Sequence, residues 1–198
     1  MTKTKPYHHG NLRETLLQAA IRLIAEVGPT AFTLREVARR AGVSHNAPYR
    51  HFRNKDELMT AVATEGYREL TAAMARAARG GEQPIDRLKL AGLAYIEFAL
   101  RRPEHFAVMF DAPLPGPRHQ DSNDAAKEAF SALVGLVSDA QTSRDLAAGD
   151  PLEYAYLAWT MVHGVAKLAI TKRLPYRTKA GISKFASFVI EQSLPLTR

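Results

Sequence analysis

Apolar residues recur along this chain at spacings of three and four, and no segment sustains the alternation of a half-buried strand bounded by hairpin turns. The pattern predicts an all-α fold of about nine helices. The first begins at Asn11, whose side chain can cap while Glu14 reaches back, and stops at Val27-Gly28-Pro29, with Leu17, Ile21 and Ile24 on its buried face. Thr33 and Glu36 form a capping box for the second helix, which Gly42 closes after about two turns. Ser44 is placed to cap a short third helix reaching Phe52. Asn54 and Glu57 form a further box ahead of a long fourth helix, from Lys55 to about Ala78.

Arg79-Gly80-Gly81-Glu82-Gln83-Pro84 is the clearest interruption, because paired glycines end one helix and Pro84 suits the first turn of the next. The fifth helix is expected from about Ile85 to Arg101, and Pro103 restarts a sixth through Phe110. Ala112-Pro113-Leu114-Pro115-Gly116-Pro117 cannot continue it and predicts a mobile loop. A seventh helix follows from about Asp121 to Gln141. Asp150-Pro151-Leu152-Glu153 combines a cap, a first-turn proline and a returning carboxylate, and opens an eighth that reaches about Arg173. The ninth, roughly Thr178 to Ser193, places Ile182, Phe185 and Val189 on one face.

Composition narrows the classes available. A content of 46% hydrophobic and 24% charged residues is that of a globular chain, not of a disordered or fibrous one. The absence of cysteine removes disulfides, zinc-thiolate sites, iron–sulfur clusters and cysteine nucleophiles together. Met1 to Gly10 lacks the apolar run of a secretory leader, and no stretch approaches the roughly 18 apolar residues of a membrane span, so a cytoplasmic protein is expected. The net charge of +7 is unevenly placed: residues 1–56 hold 10 Lys/Arg against 4 Asp/Glu, and residues 57–198 hold 17 against 16. Little more than a quarter of the chain therefore carries nearly all the excess, which points to nucleic acid as its partner. The expected organisation is a DNA-binding domain over 1–56 and a helical ligand-binding and dimerisation domain over 57–198.

Within the basic segment, the second and third helices are too short to stand alone and are joined by Ala41-Gly42-Val43-Ser44, the tight turn of a helix-turn-helix. Val37, Ala38, Val43 and Phe52 are placed to pack inward, which leaves His45, Asn46, Arg50 and His51 outside. A helix in the major groove can distinguish all base pairs, while neighbouring helix ends hold phosphates. His45 and Asn46 in the first turn are positioned for base edges, and Ala47 offers only a methyl. Thr33 and Lys55 open helices whose exposed amides attract phosphate, with Tyr49 and His51 able to add hydrogen bonds. Arg35 suits a phosphate or a guanine edge. A merely solvated polar surface is the alternative for such a strip, and the local charge argues against it.

The runs Tyr7-His8-His9-Gly10-Asn11-Leu12, Thr33-Leu34-Arg35-Glu36-Val37-Ala38-Arg39-Arg40-Ala41-Gly42-Val43-Ser44 and Ala47-Pro48-Tyr49-Arg50-His51-Phe52-Arg53-Asn54-Lys55-Asp56-Glu57-Leu58 resemble the DNA-binding domain of the tetracycline-repressor (TetR) family, over about residues 7–60. The resemblance implies phosphate contacts at Tyr49, His51 and Lys55 and base reading by Arg35, His45 and Asn46. Pro48 departs from the apolar residue many members carry. A proline there removes a helical hydrogen bond and disfavours α geometry at Ala47.

Further along, Trp159-Thr160-Met161-Val162-His163-Gly164 resembles a Trp-x-x-x-His-Gly pattern of one subgroup of the family's C-terminal domains. Spacing of four puts Trp159 and His163 on one face, with Tyr156 beside them. Leu157, Met161, Gly164 and Leu168 form a second stripe, so this helix needs two partners. The resemblance supplies them: the eighth and ninth helices would pair with their copies in a homodimer, and the fourth to eighth would enclose a cavity for a small-molecule effector. Candidate ligand contacts are Tyr95, Phe98, Phe106, Met109, Phe110, Tyr156, Trp159 and His163, with His163 equally readable as a core histidine. The expected function is a repressor released from a pseudo-palindromic operator by an apolar or aromatic ligand.

An enzyme is the principal rival. The sequence has no phosphate loop, no His-Glu-x-x-His, no Gly-x-Ser-x-Gly and no dinucleotide turn, so no cofactor or metal is expected. Its remaining form would pair His163 with Glu97 or Asp111 for acid–base work. A DNA-binding protein whose C-terminal domain serves dimerisation alone is the third reading.

Overall fold

The computed structural model describes residues 12–111 and 120–194. Eight α-helices follow one another: α1 (Leu12–Val27), α2 (Leu34–Ala41), α3 (Lys55–Ala78), α4 (Pro84–Arg101), α5 (Pro103–Phe110), α6 (Gln120–Thr142), α7 (Pro151–Ile170) and α8 (Lys179–Ser193), with no β-strand among the described residues. The cap expected at Asn11, the His8-His9 pair and the loop over 112–117 lie outside the described residues.

The count falls one short of nine because the third helix is not an α-helix. Between Gly42 and Phe52 the chain makes a turn in which Ala47 N–H donates to the Ser44 carbonyl, and then a single 3-10 turn over Pro48–Arg50. Pro48 supplies no N–H and its ring opposes an i−4 carbonyl, so α-helical propagation across it fails. Ala47 itself sits in the right-handed helical region (φ −59°, ψ −42°) although the following proline disfavours it, and Ser44 contributes its carbonyl and not a side-chain cap.

The other boundaries follow from local chemistry. Thr33 and Glu36 form the reciprocal box, and Gly42 ends α2 in the left-handed conformation (φ 70°) that a glycine adopts without strain. At α3 the box opens by one residue: Asn54 accepts from Glu57 N–H at 2.9 Å, but the Glu57 carboxylate accepts from Arg53 N–H at 2.6 Å, not from Asn54. Helix α7 stops at Ile170, short of Arg173, because Lys172 turns left-handed (φ 57°) and Arg173 N–H returns to the Leu168 carbonyl.

Helix α3 organises the molecule. It packs against α1 and, more extensively, against α4, α5 and α6. Leu16, Leu17, Ala20, Val37, Ala38 and Phe52 fill the N-terminal core. At Gly66 a Cβ would lie 2.5 Å from Met109 Sδ and 3.3 Å from His105 Cβ, so the glycine is what lets α5 cross α3 tightly. Helix α5 touches α1 and α4 as well. Helices α7 and α8 pack on α4 and on each other, yet Leu157, Leu168 and Phe188 stay 43%, 42% and 58% exposed. Those three, with the exposed Gly164 between the two leucines, are apolar positions left largely uncovered by the other described residues.

Candidate functional site

Two regions carry chemistry, and α3 connects them. At its N-terminal end, the segment from Ser44 to His51 lies on the surface with Ser44, His45, Asn46, Tyr49, Arg50 and His51 exposed and Ala47 half-buried. Pro48 and Phe52, both buried, peg this strip to the core, and Arg13 lies 5.5 Å from the Phe52 ring centroid. Arg35 is exposed on α2 beside it. The cluster presents imidazole, amide, phenol and guanidinium groups with no carboxylate among residues 44–53, a donor-rich surface suited to phosphates and base edges.

Two of the expected phosphate contacts are partly engaged within the chain. Thr33 gives its backbone N–H (2.7 Å) and its hydroxyl (3.0 Å) to the Glu36 carboxylate, and these bonds hold that carboxyl below the usual carboxylate range. The Lys55 ammonium donates to the Thr30 carbonyl at 2.8 Å and stands 4.1 Å from the Phe32 ring centroid. Burial there pushes its pKa down, with Asp56 and Glu36 opposing. An ammonium has three donors, so Lys55 pins the start of α3 to the α1–α2 loop while two donors remain for an outside anion. Behind this surface stands a clamp that local spacing does not encode, where Arg40 of α2 binds Glu26 of α1 through both guanidinium branches.

At the other region, α3, α4, α6, α7 and α8, with Phe110 at the end of α5, surround a cavity of about 370 Å³. Its walls are Leu70 and Met74 from α3, Leu88 and Gly92 from α4, Phe130 and Leu133 from α6, Val162 from α7, and Ile190 and Leu194 at the end of α8. The last helix was not expected to contribute. Gly92 opens the space, since a Cβ there would meet Ile190 Cδ1 at 3.2 Å and Val162 Cγ1 at 3.3 Å. The size falls in the range of pockets that hold small organic ligands.

Of the eight expected ligand residues, Tyr95, Phe110, Tyr156 and Trp159 line this cavity. Phe98 and Phe106 are buried away from it, and Met109 packs under Gly66. His163 stands behind the wall: the Tyr95 oxygen is 2.8 Å from its Nδ1, and the Trp159 indole N–H donates to the same oxygen at 3.2 Å. With that oxygen already accepting from Trp159, the arrangement that satisfies all three groups has Tyr95 O–H donating to an unprotonated Nδ1. Burial first, then the Lys167 cation, lowers the His163 pKa, in keeping with a neutral ring. Phe106 stacks on it with centroids 5.3 Å apart, and Phe110 meets it edge-on at 4.9 Å.

The acid–base pairs of the enzyme reading do not form. Lys167 pairs with Asp111, Arg101 lies 3.7 Å from Glu97, and no carboxylate hydrogen-bonds His163 among the described residues. No helix among the described residues is long and apolar enough to cross a membrane.

Comparison with known proteins agrees with this two-part geometry. Residues 16–62 match the family model of bacterial regulatory proteins of the tetR family, and residues 88–192 match that of the tetracyclin repressor-like C-terminal domain. An HTH-type transcriptional repressor of Mycobacterium tuberculosis is 49% identical over 47 residues, covering 24% of this chain and 25% of the relative. The class A tetracycline repressor of transposon 1721 from Escherichia coli is 43% identical over 63 residues, 32% of this chain and 26% of that protein. The chain thus spans about a quarter of the length of these curated relatives. Among solved structures, a protein of unknown function from Rhodococcus sp. RHA1 superposes with a TM-score of 0.83 at 33% identity, over 97% of this chain and 100% of that one. A complex of AibR with isovaleryl coenzyme A and operator DNA superposes with a TM-score of 0.75 at 19% identity, over 94% and 100% of the two chains.

Proposed function

The chain belongs to the tetracycline-repressor family of bacterial regulators, and from that premise we propose that it is a homodimeric repressor released from a pseudo-palindromic operator by a small, largely apolar ligand. Residues 1–56 act as the DNA-binding unit and 57–198 as the ligand-binding and dimerisation unit.

One observation carries the reading. Helix α3 begins with Lys55 at the donor-rich surface and, 19 residues later, presents Met74 to the cavity, a span of about 28 Å along a single rigid element. A ligand that changes how α3 leans against α4 and α6 therefore changes the angle at which the strip from Ser44 to His51 is offered. A two-fold dimer must present two such strips one helical turn of DNA apart, or a small multiple of it, so a modest tilt spoils the match. The ligand acts by binding the mismatched state more tightly. The AibR structure, of the same fold, holds isovaleryl coenzyme A together with operator DNA, which supports a ligand and a DNA partner for this chain without indicating which ligand.

The test is selection of duplexes from a random pool by the purified protein. The reading expects enrichment of an inverted repeat that outcompetes random duplex. Recovery of sequences without dyad symmetry, or no enrichment at all, would reject it.

A further inference from the structure

The charge around the cavity narrows the chemistry of what enters it. Among the described residues lining the space, the single charged side chain is Lys127, and no carboxylate lines it. Lys127 lies on the same stretch of α6 as Ala126, Ala129, Phe130 and Leu133, which all face the cavity, and its side chain is 75% exposed. The ammonium therefore stands at the mouth, not in the interior. Asp124, 3.9 Å away on the preceding turn, does not line the cavity, and a surface ion pair that long and exposed holds the cation weakly.

Deeper inside, the donors of Tyr67, Tyr95 and Trp159 are already engaged. Tyr67 O–H donates to the Met109 carbonyl at 3.1 Å, Trp159 N–H to Tyr95, and Tyr95 bonds His163. A charge pushed into that interior would lose its water without gaining a partner. An ammonium head at the mouth fares no better: Phe130, Tyr156 and Trp159 are pressed together with centroids 4.7 to 6.2 Å apart, which leaves no cage for a cation between their faces, and Lys127 repels it.

We propose that the ligand is an amphipathic monocarboxylic acid, its hydrocarbon or aryl-alkyl body inside and its carboxylate at the mouth on Lys127. The cavity of about 370 Å³ accommodates about a dozen groups the size of a water or methylene. This inference rests on the reading of the cavity as the effector site, and the experiment separates the two.

Trp159 is the sole tryptophan and lines the cavity, so its emission reports filling. The probes are octanoic acid, 1-octanol and octylamine, then the same three head groups on a phenylbutyl body, all far below micelle formation. An exposed or half-exposed ion pair makes octanoate bind about five-fold tighter than octanol, with octylamine weakest. Lys127→Gln brings the acid down to the alcohol while leaving the alcohol unchanged, and Lys127→Glu reverses the order of acid and amine. Equal or tighter binding of the alcohol or the amine, an acid preference that survives Lys127→Gln, or no binding of any probe overturns the proposal. Operator retention is measured alongside. If the acid binds through Lys127 and operator affinity does not change, the ligand assignment stands and the repressor-release reading fails; if the alcohol binds best and releases operator, the reverse holds.

Discussion

The Tyr95 oxygen stands 2.8 Å from His163 Nδ1, so one phenol on the cavity wall ties α4 to α7 and fixes the tautomer of the imidazole behind it. Tyr95 is nearly fully buried, and burial also raises its pKa and keeps the hydroxyl protonated. Tyr95→Phe keeps the ring and removes the oxygen, leaving His163 Nδ1 and the Trp159 N–H without their shared partner. The expected cost is about 1–3 kcal/mol in denaturant unfolding, together with a shift of Trp159 emission. Unchanged stability and unchanged emission would show that the three groups are not coupled.

The same histidine gives a pH dependence with a definite sign. Its folded pKa lies below the ordinary 6.5, owing chiefly to burial, so on acidification the unfolded chain takes the proton first. Its contribution to stability is therefore fully present above about pH 6.5 and is lost as pH falls through the lowered folded value. Urea unfolding of the wild type should weaken more between about pH 7.5 and 5.5 than that of His163→Gln. Identical slopes for the two proteins would contradict this.

Dimerisation is predicted to use the face that the single chain leaves bare. Leu168→Glu combined with Phe188→Glu places two carboxylates on that apolar surface and should yield monomer in sedimentation, with loss of tight operator binding. Gly164→Leu should act in the same direction, because no side chain from another described element lies within 4 Å of the added Cβ and a partner's surface would meet the bulk. Dimers that survive both changes would move the interface elsewhere.

At the DNA surface, Lys55 and Asn46 should behave differently. Lys55→Ala is expected to weaken binding to every duplex and to lower the salt slope by about one contact. It should also lower stability by about 0.5–1 kcal/mol, because the cation leaves the Phe32 ring and the Thr30 carbonyl. Asn46→Ala, on an exposed position without such ties, should relax preference at one base pair and leave stability unchanged. Filter-binding over a salt series, with selected and random duplexes, distinguishes the two patterns.

Much of this was legible from residues one to four positions apart. The ends of α3 follow from the Asn54 cap and the Gly80-Gly81 break, and α5 runs from Pro103 to Phe110 as its proline and its apolar run require. What spacing does not encode is which neighbour a face will meet. Phe106, Met109 and Phe110 look alike in the sequence. Only Phe110, at the open end of α5, reaches the cavity; Phe106 is held by Tyr95 and His163, and Met109 by Gly66. Phe130 and Leu133 line the cavity because α6 lies across α3 and α4, a placement set by distant contacts. At Pro48 the sequence carried the conflict between capping and proline, and the resulting 3-10 turn depended on how Pro48 and Phe52 seat in the core.

If the cavity and the DNA surface are linked through α3, that linkage is reciprocal. The direct measurement is to titrate one cavity ligand, followed by Trp159 emission, into free protein and into protein saturated with its selected operator, and to measure operator affinity with and without that ligand. Operator should weaken the ligand by the same factor by which the ligand weakens operator, within roughly the five- to 150-fold range of such couplings. A ligand that fills the cavity with the same affinity whether or not operator is bound would contradict it.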